Sequence, residues 1–124
     1  MTGVQTCALP ILLGNLDPAL KLYEQAVVLD PLRANSHLGL GYLLYVAGRY
    51  DEAQAALQKA LDLHPQAPYV HLTLDKILIA EGKPQQALVE IETEPSEWAK
   101  LTGQALVYHA LGREIGRASC RERV

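Results

Sequence analysis

The feature that most constrains this chain is a self-match at a step of 34 residues. Sliding the sequence by that step lays NLDPALKLYEQAVVLDP (15–31) over RYDEAQAALQKALDLHP (49–65). Ala19 meets Ala53, Tyr23 meets Leu57, Ala26 meets Ala60 and Pro31 meets Pro65. At the same step His37, Leu40, Leu44 and Gly48 meet His71, Leu74, Leu78 and Gly82, and Ala53 meets Ala87. A period of this length means one supersecondary unit repeated, each copy too small to bury its apolar face without neighbours. Gly112 follows Gly82 by only 30 residues, so the third unit is expected to lack about one turn of its second helix.

Within each period the apolar spacing is helical. Ala53, Ala56, Leu57, Ala60 and Leu61 fall on one side of 50–63, and Leu40, Gly41 and Leu44 form a stripe on 34–47. Gly48-Arg49 and Pro65 stop these runs, while Asp17-Pro18 and Lys83-Pro84 put proline near a first turn, where its missing N–H is harmless. The pattern predicts helices at 18–29, 34–47, 50–63, 68–81, 84–93 and 97–111. No stretch alternates with the period of two that a strand needs.

A helix–turn–helix unit of this length, with small residues at fixed points, resembles the tetratricopeptide repeat. Leu40, Gly41, Leu44, Gly48, Tyr50, Ala53, Leu57, Ala60 and Pro65 carry the resemblance in the best unit. Asp75 and Glu94 depart from it, standing where small residues are usual. The resemblance implies an all-α fold: a right-handed superhelical solenoid of antiparallel helix pairs, about three repeat equivalents long. Gly41, Ala53 and Ala60 would let helix backbones approach closely. Leu40, Leu44 and Leu57 would each contribute about 1.5–3 kcal/mol on burial.

The two ends read differently. MTGVQTCALPI and EIGRASCRERV resemble translations of sequencing-adapter DNA, and codons for ALPI and IGRA can be chosen so that both ends are one duplex read from opposite strands. On that reading 1–11 and 114–124 stand outside the fold, and Cys7 and Cys120 leave the argument. Residues 12–113 are then expected to be an excerpt of a longer protein: a partial unit 12–33, a unit 34–67, a shortened unit 68–97 and a partial unit 98–113. That span holds eight Lys and Arg against twelve Asp and Glu.

Composition narrows the function class. Phe is absent, so Leu, Ala, Ile and Val must build the core. A net charge of −3 argues against a nucleic-acid partner. No apolar run approaches the roughly 20 residues of a membrane span, and the start lacks the basic leader of a signal peptide, so the expected compartment is the cytoplasm.

A search for chemistry yields no catalytic set. His37 and His71 stand one repeat apart, too far to share a metal with bonds of about 2 Å. GLGYLLYVAG (39–48) lacks the third glycine of a dinucleotide loop and lies within a helix. Glu90, Glu92 and Glu94 read as a solvated acidic patch, and Trp98 as a residue packed onto the third unit. No cofactor, metal or membrane is expected.

In repeats of this type the first helices line a concave groove. On 34–47 the face opposite Leu40 and Leu44 carries Asn35, Leu38, Tyr42 and Tyr45 at helical spacing. The equivalent sets are Tyr69, Leu72, Lys76 and Ile79, then Ala99, Thr102, Leu106 and His109. Tyrosine suits such a groove because it joins a large contact area to a polar tip. Only Lys76 is basic there, so an apolar peptide or a partner domain is a better fit than a C-terminal carboxylate. The expected function is a non-catalytic scaffold for protein–protein contact. The alternative comes from EPSEWAKLTGQALVYHALGR (94–113), which resembles the end of repeat arrays joined to bacterial nucleotide-cyclase-like enzymes or winged-helix regulators.

Overall fold

The computed structural model describes residues 16–123, with side chains described through Gly112. The adapter-like start, with Cys7, and the side chain of Cys120 lie outside that description. The described elements are six α-helices: α1 Leu16–Leu29, α2 Ala34–Val46, α3 Tyr50–Leu63, α4 Val70–Ala80, α5 Pro84–Ile91 and α6 Glu97–Arg123. No strand occurs among the described residues, and the fold is the all-α one the repeat implies. The helices fall into two units, α1–α3 before Gln66 and α4–α6 after Pro65.

In the first unit α2 packs against both α1 and α3. Gly48 makes the turn between α2 and α3. It takes a left-handed φ of 80°, and its N–H bonds to the Tyr45 carbonyl while the Arg49 N–H reaches Leu44, both at 2.9 Å. This is the Schellman arrangement, which satisfies the last carbonyls of a helix and favours glycine for its backbone freedom. The turn is short enough to fold α3 back along α2. Ala53, Leu57 and Ala60 on α3 are fully buried, and Gly41 and Leu44 on α2 are buried. His37 closes the α1–α2 turn, its Nε2–H donating to the Pro31 carbonyl at 2.9 Å.

In the second unit α4 packs against α5 and α6, and α5 against α6. The α4–α5 turn repeats the first: Gly82 has φ 77°, with Gly82 N–H on Ile79 and Lys83 N–H on Leu78. Pro84 opens α5, and Ala87 and Ile91 bury its inner face. At eight residues against fourteen in α3, α5 is shorter than the four-residue deficit suggested.

The end of the chain departs from expectation. Helix α6 does not stop near 111 but runs to Arg123, through Gly112 and the tail expected outside the fold. Unlike Gly48 and Gly82, Gly112 has no left-handed backbone. The segment after it contains no proline and several helix formers, and each of Gly112 and Gly116 costs a helix only about 1 kcal/mol.

Candidate interaction surface

On α2 the helical period sends Gly41 and Leu44 inward and leaves Asn35 and Tyr42 exposed, with Leu38 and Tyr45 half-buried. Leu40, assigned to the inner stripe, is only half-buried, and Tyr50 opens α3 in a similar state. The rings of Tyr42, Tyr45 and Tyr50 follow one another at centroid spacings of 6.1 Å. Burial, then the neighbouring Tyr50 and Tyr42, raise the Tyr45 pKa above its ordinary value.

The second unit sorts its residues differently from the sequence reading. Leu72 and Ala99, placed on the groove by their spacing, are core residues that cluster with Ile91. The reason lies in α6, which turns Ala99, Gly103 and Val107 inward and so draws its small-residue side against α5. Trp98, one position off that stripe, is 66% exposed instead of packed down. It meets the exposed Tyr69 edge-on at 6.2 Å. Lys76, Ile79 and Thr102 are half-buried, and Leu106 and His109 exposed; the Thr102 hydroxyl donates to the Trp98 carbonyl at 2.8 Å.

The acidic residues also behave otherwise than a solvated patch would. Only Glu92 is exposed, accepting a bond from Gln104 Nε2 at 2.9 Å. Glu90 is held by His71, whose Nδ1 stands 2.6 Å from Glu90 Oε1, and Thr93 Oγ1 lies 3.0 Å from the same nitrogen. Glu94 is buried; its carboxylate accepts backbone N–H bonds from Tyr69 at 3.0 Å, Leu72 at 3.3 Å and Ser96 at 3.1 Å. Helix α4 has no side-chain cap of its own, and Tyr69 before it adopts φ 70°. Glu94 therefore satisfies orphan donors at that helix start, and its charge suits the positive end of the dipole.

Further apolar surface escaped the sequence reading. Leu22, Val28 and Leu29 on α1 are strongly exposed, as are Leu101 and Tyr108 on α6. A cavity of about 430 Å³ lies beside Lys21, Glu24, Gln25, Val28 and Leu29 of α1. Its lining residues 21, 24, 25 and 28 lie along one side of a helix. Among the described residues no three His, Cys, Asp or Glu come together as metal ligands, and no helix is long and apolar enough to cross a membrane.

Two models of the tetratricopeptide repeat match the sequence, one over residues 13–68 and one over 47–97. The chain belongs to the tetratricopeptide repeat family. Such repeats generally mediate contacts between proteins and are typically non-catalytic. The chain is 32% identical over 87 residues to tetratricopeptide repeat protein 7B of Homo sapiens, a match covering 67% of this chain and 10% of that protein. It is 34% identical over 71 residues to the protein O-mannosyl-transferase TMTC1 of Mus musculus, covering 57% and 8%. An uncharacterized protein of Aquifex aeolicus is 31% identical over 88 residues, covering 69% and 11%. The chain thus spans about a tenth of the length of the curated relatives it matches. Asp75 and Glu94, which stand where the 34-residue step places Gly41 and Ala60, are the two buried acids of the second unit.

Proposed function

We propose that this tetratricopeptide chain is a non-catalytic interaction module that takes a peptide or partner domain on the faces of its first helices. The observation that carries the reading is the exposed aromatic surface there: Tyr42 is 44% and Tyr69 45% exposed, while their own helices bury Gly41, Leu44, Val70 and Ile77 on the other side. Tyrosine held by a rigid helix gives contact area at little entropic cost, and such residues concentrate binding energy at interfaces. In the first unit Asn35, Leu38 and Tyr45 accompany Tyr42 on α2; in the second unit, taken by itself, Lys76 and Ile79 of α4 and Thr102, Leu106 and His109 of α6 accompany Tyr69.

The test is a displayed random-peptide library selected on the full chain, followed by titration of the tightest peptide. Tyr42→Ala or Tyr69→Ala should weaken that peptide at least tenfold, and Val89→Ala, on the exposed side of α5, by less than twofold. Selected peptides indifferent to both tyrosines would refute the assignment.

The regulatory reading keeps this binding step and adds a neighbouring domain. It is supported by the short share of each relative that the chain covers, one of them named a transferase. Analysis of the uninterrupted gene decides it: a catalytic or winged-helix domain in the same frame supports the reading, and repeats alone oppose it.

A further inference from the structure

Asp75 stands where the 34-residue step places Gly41. It is wholly buried, and neither carboxylate oxygen has a hydrogen-bond partner. An isolated ionised carboxylate in such surroundings is costly, and the group takes up a proton instead.

Three helices enclose it. From α5 comes Glu90, a second carboxylate, which is paired with His71 of α4. On its own helix the neighbouring charge is Lys76. From α6 the facing residue is Gly103, where an added Cβ would stand 3.1 Å from Asp75 Oδ2. Glu94, the other buried acid, is occupied by backbone N–H groups at the start of α4. Burial raises the Asp75 pKa most and Glu90 adds to it, while Lys76 opposes; the outcome is about 7. Among the described side chains of α6 no charge contributes.

We propose that the contact of α4 with α6 is a proton-controlled joint: with Asp75 neutral, α6 closes over it at Gly103, and loss of that proton opens the pair to water. The mechanism follows from the enclosure. Once ionised, the carboxylate has no donor in its shell, and hydration requires the helix bearing Gly103 to move away. Glu90 biases the joint toward the neutral form. The first unit carries Gly41 at the matching position and has no such group.

The experiment uses the full chain with ¹³C-labelled aspartate carboxyls and amide hydrogen exchange. The Asp75 carboxyl should titrate near neutrality, apart from the other aspartates. After correction for intrinsic exchange, amides of α4 and α6 should open about a hundredfold more often near pH 8 than near pH 5, and those of α2 should not change. Asp75→Asn should abolish the difference. A carboxyl midpoint near 4, equal opening at both pH values, or an increase that survives in Asp75→Asn would each overturn the joint. Should Asp75→Asn fail to fold, the carboxyl titration and the amide exchange of the native chain at the two pH values decide together.

Discussion

Glu94 and Tyr69, 25 residues apart, are joined by a hydrogen bond from the Tyr69 backbone N–H to the Glu94 carboxylate at 3.0 Å. The bond explains how a charged residue occupies a slot where the repeat wants alanine. In the first unit the matching residue is Ala60, packed wholly inside on a full-length second helix. In the second, α5 ends at Ile91 and Glu94 falls in the turn beyond it. The shortened helix thus turns a packing position into a capping position, and the left-handed Tyr69 lays the uncapped start of α4 against it.

Removing that cap should be costly. Glu94→Ala leaves buried backbone donors without an acceptor, and should destabilise the chain by about 1–3 kcal/mol. Glu94→Gln keeps one acceptor oxygen and should recover part of the loss. Urea midpoints at neutral pH check both; an unchanged midpoint in Glu94→Ala would show that water replaces the carboxylate at no cost.

Three glycines make a graded test of helix contact. A Cβ on Gly41 would stand 2.7 Å from Leu57 Cγ and 3.3 Å from the Ala53 carbonyl; one on Gly103 would collide with Ile91; one on Gly112 would meet nothing within 4 Å. Leu57 and Ile91 are both fully buried and have no room to yield. Gly41→Leu should therefore cost at least about 1 kcal/mol, and Gly103→Ala about 1–3 kcal/mol. Gly112→Ala, in open space on a helix, should stabilise by about 0.5–1 kcal/mol. Thermal unfolding should place Gly41→Leu and Gly103→Ala below the native chain and Gly112→Ala above it.

The parts of this fold that were legible in the sequence are those with local causes. Gly48 and Gly82 mark turns because a left-handed helix end favours glycine, and α3 declares itself by the spacing of Ala53, Leu57 and Ala60. Glu94 and Asp75 stood out only as departures from a pattern. Whether an acid at a core position is bonded or orphaned depends on groups brought there by tertiary structure, such as the Tyr69 N–H, and not on its chain neighbours. The Ala99–Gly103–Val107 stripe was visible at helical spacing, but the tetratricopeptide register drew attention to Thr102 and Leu106 instead. In the fold α6 turns the Ala99–Gly103–Val107 side inward, which leaves Trp98 exposed and Ala99 buried.

The tyrosine row on α2 and α3 gives a spectroscopic prediction. Tyr45 resists ionisation because burial disfavours the phenolate and Tyr50 and Tyr42 add to the effect. Its folded pKa lies above the unfolded one, so its contribution is intact below the unfolded value and is lost as the pH rises through the folded one. Absorbance titration should show one tyrosine ionising after the exposed ones, and Tyr45→Phe should remove that late component. A single common midpoint in both proteins would contradict the shielding.

Asp75 sets the pH dependence of stability. Its folded pKa of about 7 lies above the ordinary carboxyl value of 3.8, so the folded state holds the proton more tightly. The stability it contributes is full below about 4, declines as the pH climbs, and is gone above 7. The native chain should therefore weaken between mildly acidic and mildly alkaline conditions. Asp75→Ala restores the small residue that Gly41 supplies in the first unit and removes the unpartnered oxygens. It should raise the unfolding free energy near pH 8, read from urea titration, by on the order of 3 kcal/mol. The gain should shrink steadily toward pH 4, where only the small cavity left by the carboxyl remains. A gain independent of pH would trace the effect to packing and not to charge.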